Sequence, residues 1–309
     1  MSLKLVSWNV NGVRAAIKKG FWEKLENLHS DIICIQETKT DHENMALLAK
    51  NQDLVIPNNQ EDSVFEQENS DKWKILWHSC SVKKGYSGVA ILWKNQDLKL
   101  NSYQLGLGDA EFDAEGRILV VEFEYKGFEF VLINGYYPQG GRGPHRVDYK
   151  IRFYQKLNEL VWKLKQSGKS VILCGDLNTT VTDIDLARPK ENRKTTGCLP
   201  EERVALSWLL ENKGFDESQL KIENSEFLKY QDLPIKTLDL VDTLRYFYPE
   251  TPAKYSYWDQ ITRSRERNVG WRIDYFLIDK NLLPRLQKAD IEDLVMGSDH
   301  APVWIELTI

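Results

Sequence analysis

Val171-Ile172-Leu173-Cys174-Gly175-Asp176-Leu177-Asn178 is the stretch on which the fold turns. Four apolar residues closed by a glycine make too short a run for a helix, and the β-branched start predicts a buried strand. That strand carries Asp176 and Asn178 to its C-terminal end. Two residues apart, they point the same way, toward the crevice where α/β sheets present their chemistry. A plainer duty also suits them, an Asx-turn at Asp176 and a helix cap at Asn178. The balance moves toward a site because other strand ends in the chain carry the same kind of residue.

Working outward, Lys4 to Asn9 alternates apolar and polar residues and runs into the turn Asn9-Val10-Asn11-Gly12, with Asn9 and Asn11 on one face. Ile32-Ile33-Cys34-Ile35 predicts a second strand, ending on Gln36-Glu37. Ser87 to Trp93, Arg117 to Tyr125 and Phe128 to Asn134 read as consecutive strands, with a hairpin turn at Lys126-Gly127. The last of them leads through Tyr136 into the glycine-rich loop that carries Arg142. Gly270 to Ile278 is a further strand, carrying Asp274. Gly297-Ser298-Asp299-His300-Ala301-Pro302 precedes a final strand, Val303 to Leu307. Helical spacing falls on Gly20 to Leu28, Asp41 to Lys50, Tyr149 to Lys165 and a segment starting near Pro200. Two sheets packed face to face with helices outside satisfy this order in one α/β domain over residues 1–309. Polar stretches near 51–74 and 216–234 read as extra loops.

A chain of 309 residues that is 42% apolar and holds ten Trp has the material for a large core. The mean hydropathy of -0.47 and the lack of a long apolar run exclude a membrane span. The N-terminus enters a strand pattern directly, without the charged and apolar regions of a signal peptide, so the expected location is cytoplasmic, or nuclear in a nucleated cell, and not secreted. Cys34, Cys80, Cys174 and Cys198 lack metal-finger spacing and read as reduced, packed thiols. A net charge of -5 argues against holding a polyanion by bulk charge. Contact with nucleic acid then needs a local patch.

The strand-end residues together are Asn9, Asn11, Glu37, Tyr136, Asp176, Asn178, Asp274, Asp299 and His300. Carboxylates and amides without a thiolate suit a hard divalent cation such as Mg²⁺ and speak against zinc. One histidine beside carboxylates suits acid/base or phosphate-stabilising work, and a tyrosine hydroxyl can donate to a phosphate oxygen. Each residue also has an ordinary use: Glu37 as an acid at a helix start, Tyr136 as a core aromatic, Asp299 and His300 as turn residues. Asp274 is the least ordinary. A carboxylate inside an apolar strand needs a partner, and His300 is the candidate.

Ser-Trp-Asn-Val-Asn-Gly-Val-Arg, Ile-Gln-Glu-Thr-Lys, Gly-Asp-Leu-Asn, Asn-Val-Gly-Trp-Arg-Ile-Asp-Tyr-Phe and Ser-Asp-His-Ala-Pro, in this order, resemble the exonuclease III family of apurinic/apyrimidinic endonucleases, within the endonuclease/exonuclease/phosphatase superfamily. The resemblance runs from about Leu3 to Leu307. It implies a four-layered α/β sandwich of the deoxyribonuclease I type. It also implies Mg²⁺-dependent hydrolysis of the phosphodiester 5′ to an abasic site in double-stranded DNA, with 3′-end cleaning and 3′ to 5′ exonuclease action. Mn²⁺ would be able to replace Mg²⁺, and the protein would act as a monomer away from membranes.

By motif match Glu37 is the principal metal ligand, with Asn11 and Asp299 close to the ion. Asp176 orients or deprotonates the attacking water, and Asn178 holds water and phosphate near the metal. His300, oriented by Asp274, and Tyr136 steady the phosphate, while Asn9 supports the shell. Arg142, Asn192, Lys194 and Arg272 match positions that contact the DNA backbone; Tyr257, Trp271 and Ile273 match an apolar pocket for an extrahelical sugar. Arg263, Arg265 and Arg267 read equally as a solvated loop. The chain departs from the pattern at Asn11, where many members carry Asp, and at Thr195 and Ile261. Two other readings compete: a superfamily relative acting on RNA or on phospholipid or phosphoinositide phosphodiesters, and a catalytically silent DNA-binding protein. The Trp271-Arg272-Ile273-Asp274 context and the Arg142 loop oppose the first, and retention of Glu37, Asp176 and His300 opposes the second.

Overall fold

The computed structural model describes residues 2–56, 72–211, 220–231 and 233–309. Its strands in chain order are β1 (Ser2–Asn9), β2 (Ile32–Gln36), β3 (Lys74–His78), β4 (Val89–Trp93), β5 (Leu98–Leu105), β6 (Ile118–Tyr125), β7 (Phe128–Tyr136), β8 (Val171–Asp176), β9 (Val241–Asp242), β10 (Asp274–Ile278), β11 (Leu286–Ile291) and β12 (Val303–Thr308). One sheet has the order β11-β12-β1-β2-β4-β3, the other β5-β6-β7-β8-β10-β9. The pairs β1–β2 and β7–β8 are parallel and the remaining pairs antiparallel.

Strand alternation then decides where each side chain goes. Leu3, Leu5, Ile32 and Cys34 from one sheet meet Leu132, Ile172, Cys174, Phe276 and Ile278 from the other in an inter-sheet core. The opposite faces are covered from outside. Val6, Trp8, Ile33 and Ile35 pack with Phe21, Leu25 and Met45 of the flanking helices; Ile133, Leu173 and Leu277 pack with Ile151, Phe153 and Leu157 of the long helix Pro144–Gln166. The outcome is the expected helix–sheet–sheet–helix sandwich. A buried polar tie fixes the sheets against each other: Gln36 Nε2 donates to Asn134 Oδ1 at 2.8 Å, and Asn134 Nδ2 donates to the carbonyls of Ala90 at 2.9 Å and Ile35 at 3.1 Å.

The four strands without an anticipated counterpart, β3, β5, β9 and β11, are the four sheet edges. β5 and β11 are half solvated and carry polar residues, as in Leu98-Lys99-Leu100-Asn101-Ser102, so they lack the apolar run that announces a central strand; β9 is only two residues long, and β3 has just three apolar residues in a row, Ile75-Leu76-Trp77. The long helix starts at Pro144 rather than near Tyr149, since proline at the first helical position needs no N–H partner. Strand β10 begins only at Asp274, four residues later than expected from Gly270. Of the extra loops, 57–71, 216–219 and 232 lie outside the described residues; the turn at Leu228–Tyr230 is anchored by Tyr230, whose hydroxyl donates to Asp148 at 2.6 Å. Among the described residues no helix is long and apolar enough to cross a membrane.

Candidate active site

The site lies where the inter-sheet face of the central strands runs out of apolar residues. In the second sheet Tyr136 pairs with Asp176 across β7–β8, and Asp176 pairs with Asp274 across β8–β10, so three strand ends stand abreast. Directly paired residues point to the same face, and here that face continues Cys174 and Phe276 of the core. In the first sheet Asn9 stands beside Gln36 in the same way.

Asp274 and His300 make the expected pair. His300 Nδ1 lies 2.8 Å from Asp274 Oδ2, which also accepts from Ser256 Oγ at 2.6 Å. This partnership turns Nε2 toward Asp176, 3.8 Å from its Oδ2. Asp176 itself accepts from Asn9 Nδ2 at 2.8 Å and from the backbone N–H of Asn178 at 2.9 Å. Burial, joined by the charge of Asp274, pushes the Asp176 carboxyl up to about 7 against the opposing pull of His300. Burial works against a charged His300, but the carboxylates of Asp274 and Asp176 prevail and raise the imidazole to about 10. The pair therefore holds a proton close to neutral pH.

Tyr136 is buried beside this group. Burial and then the charge of Glu37 raise its phenol well above the ordinary range, against the nearby Arg117, so it stays a hydrogen-bond donor. The Arg117 guanidinium lies 4.8 Å from the Tyr136 ring centroid and donates to the Tyr136 carbonyl at 2.9 Å.

Asn11, Glu37 and Asn178 all have left-handed backbones, with φ of 48, 56 and 51 degrees. Such conformations are uncommon for residues other than glycine and cluster at functional turns. They also correct a step of the sequence reading. Asn9 and Asn11, like Asp176 and Asn178, are brought together by a turn rather than by strand alternation: each first residue's carboxyl or amide oxygen accepts the N–H of the second. The Asx-turn reading holds, and the same turns bring the expected site residues together. Asn178 then points its amide at the glycine-rich loop, donating to the Tyr137 carbonyl at 2.9 Å and accepting from Gln139 at 3.1 Å.

Glu37, Asn11 and Asp299 are half-buried and adjacent. Asn11 Nδ2 donates to both Asp299 oxygens, at 2.9 and 3.0 Å. Lys39 places its ammonium on Glu37 Oε1 at 2.9 Å and on Asn11 Oδ1. A cation thus already rests on these oxygens. The donor set fits a hard divalent ion, and the buried trio Asp176, Asp274 and His300 offers ligand atoms within 4.8 Å of one another.

Of the residues expected to contact a DNA backbone, Arg142 and Lys194 are exposed and Asn192 is half-buried. Their loops are joined where Gly140 N–H donates to Thr196 Oγ1 at 3.0 Å, and a cavity of about 950 Å³ opens between them. Tyr257 and Trp271 are half-buried and pair through their backbones; Tyr257 also packs its ring 4.9 Å from that of His300. Ile273 is buried. Arg272 requires a correction. It is 1% exposed, and its guanidinium pairs with Asp185 and Asp242, each at 2.7 Å, so it braces the interior and does not reach a DNA backbone. Arg265 likewise serves the fold, donating to the carbonyls of Asp293 at 2.6 Å and Val295 at 2.9 Å behind Asp299. Sequence reasoning missed Lys39, although it ends the quoted Ile-Gln-Glu-Thr-Lys motif. It also missed Ser256 and Gln139, whose partners Asp274 and Asn178 lie in distant parts of the chain, and Arg117, which pairs locally with Glu115 at 2.6 Å but reaches the Tyr136 carbonyl only through the fold.

A profile of the Endonuclease/Exonuclease/phosphatase family matches residues 6–300. The chain is 36% identical over 308 residues to an exodeoxyribonuclease of Bacillus subtilis (strain 168), covering 99% of this chain and 100% of that protein. It is 34% identical over 308 residues to a DNA repair nuclease of Danio rerio, covering 100% of this chain and 83% of that one. The crystal structure of an AP endonuclease from Leishmania major superposes with a TM-score of 0.76 at 24% identity, covering 100% of this chain and 88% of the other.

Proposed function

Because the chain belongs to the Endonuclease/Exonuclease/phosphatase family, we propose that it is a metal-dependent DNA-repair nuclease that hydrolyses the phosphodiester 5′ to abasic sites in duplex DNA, with 3′-end cleaning and 3′ to 5′ exonuclease action as companions. The observation that carries this reading is the Asp274–His300–Asp176 series, with His300 Nδ1 at 2.8 Å from Asp274 and Nε2 at 3.8 Å from Asp176. Hydrolysis of a phosphodiester needs an acceptor for the proton of water and positive groups for the oxygens that gain charge. Asp176 is the acceptor, held by Asn9 and by the Asn178 N–H. His300 presents its positive edge to a nonbridging oxygen, and Asp274 keeps the ring turned that way. Tyr136, a phenol that keeps its proton, donates to the phosphate, and Asn178 fixes the turn.

Glu37, Asn11 Oδ1 and Asp299 would hold a divalent cation, Mg²⁺ with Mn²⁺ as its substitute, in place of the Lys39 ammonium. Bound there, the ion supplies charge neutralisation at the scissile phosphate. Arg142, Asn192 and Lys194 would grip the backbone of double-stranded DNA. Tyr257 and Trp271, with Ile273 behind them, would receive a sugar that carries no base. A reducing compartment, cytosol or nucleus, accords with four buried free cysteines.

The experiment is incubation with duplex DNA carrying one abasic-site analogue, with Mg²⁺, with Mn²⁺ and with EDTA. Metal-dependent incision 5′ to the lesion, with intact duplex degraded only from its 3′ ends, is the expected result. A folded protein that leaves this substrate whole while cutting RNA or phosphoinositides overturns it.

A further inference from the structure

A fully buried ion pair lies next to the site and takes no part in the chemistry above. Lys150, in the long helix, and Glu202, in the helix Pro200–Ser207, are both 0% exposed and meet at 2.8 Å. Burying two such charges is costly, and apolar residues of similar volume usually stabilise a core at least as well. What the pair holds is therefore more informative than its own energy.

Lys150 Nζ donates to the carbonyl of Asn178 at 2.7 Å, the carbonyl that the left-handed backbone of Asn178 turns inward. Glu202 Oε1 accepts from Thr196 Oγ1 at 2.7 Å, and Glu202 Oε2 accepts from the Gly197 N–H. Thr196 Oγ1 in turn accepts from the Gly140 N–H at 3.0 Å, and the Gly197 carbonyl accepts from the Thr180 N–H at 2.8 Å. There is no spare room in this junction: a Cβ at Gly140 would stand 2.6 Å from Thr196 Oγ1 and 3.0 Å from Glu202 Oε1. Three segments thus converge on one ion pair: the Asn178 turn beside Asp176, the glycine-rich loop that carries Arg142, and the loop that carries Lys194.

We propose that Lys150 and Glu202 are positioning residues, a buried clamp that sets the Asn178 turn and the two cationic loops in one fixed relation, so that seating a phosphate backbone on the loops places the scissile bond against Asp176. For its catalytic consequence this rests on the nuclease reading above; the clamp itself does not. Lys150→Met/Glu202→Leu removes both charges at similar volume, and Thr196→Val severs only the link from Glu202 to Gly140. Amide hydrogen exchange on the protein alone is read first, followed by single-turnover cleavage of abasic duplex and by the thermal midpoint.

In the double variant, exchange should rise together in segments 139–143, 178–180 and 194–197. Single-turnover cleavage should fall at least about tenfold, the loss that sub-ångström misplacement brings, while the thermal midpoint is kept. In Thr196→Val the glycine-rich loop alone should loosen. Unchanged exchange in those segments, or a kept cleavage rate despite looser loops, overturns the clamp. So does a rise spread over the whole protein with a fallen midpoint. Should the double variant not fold, Thr196→Val decides: a glycine-rich loop as protected as in the parent refutes the link. Because exchange needs no substrate, failure of the clamp and failure of the nuclease reading give different results.

Discussion

Asp176 takes hydrogen bonds from Asn9 and from the Asn178 backbone on two different oxygens, and it faces His300 across 3.8 Å. A carboxyl raised to about 7 by burial carries a proton below that pH and cannot accept another from water; an imidazole raised to about 10 loses its charge above that pH. Turnover at saturating metal should therefore rise as pH passes upward through about 7 and fall as it approaches 10, giving a bell-shaped profile. Asp274→Asn removes the negative charge that sustains the imidazolium, so its alkaline limb should move to lower pH. A limb that stays in place would detach Asp274 from that role. The Asp274–His300 partnership was legible in sequence because a carboxylate inside an apolar strand demands a partner. Arg272 was misread for the complementary reason: its carboxylates, Asp185 and Asp242, reach it only through tertiary folding, and nothing adjacent in the chain announces them.

At the scale of the element, the strand that opens the sequence reading depends on its glycine. Gly175 has φ of 130 degrees, and a Cβ there would stand 1.9 Å from the carbonyl oxygen of Gly135 on the parallel neighbour β7. The β8 backbone can approach β7 this closely, with Tyr136 beside Asp176, only while residue 175 is glycine. Gly175→Ala should cost on the order of 3 kcal/mol in urea unfolding and slow cleavage as Tyr136 and Asp176 separate. A stability within about 0.5 kcal/mol of the parent would show that the strands part easily. Central strands such as β2 and β8 were legible because they are apolar on both faces. The edge strands were not: β5 and β11 mix buried residues with ordinary surface ones, β9 is two residues long, and β3 offers only three apolar residues in a row.

For the whole molecule, two facts set the limits: the sheets are locked together by a few buried polar atoms, and the net charge is -5. Asn134→Ala removes three buried hydrogen bonds of the inter-sheet core, leaving Gln36 Nε2 only Ser7 Oγ and the Cys34 carbonyl, which should cost about 3 kcal/mol by chemical denaturation at about 1 kcal/mol for each bond. An acidic protein that binds DNA must do so through few contacts, so each contact is a large share of the salt dependence. Arg142→Ala should weaken binding in EDTA and reduce the slope of log K against log salt by about one, read by fluorescence anisotropy over a potassium chloride series. Arg272→Met makes the contrast. Its guanidinium neutralises Asp185 and Asp242 and no phosphate, so removal should lower stability by about 3 kcal/mol and leave the slope as it was. If the two variants exchanged these effects, the buried and exposed arginines would have been assigned the wrong way round, and the DNA would have to cross a different face of the sandwich.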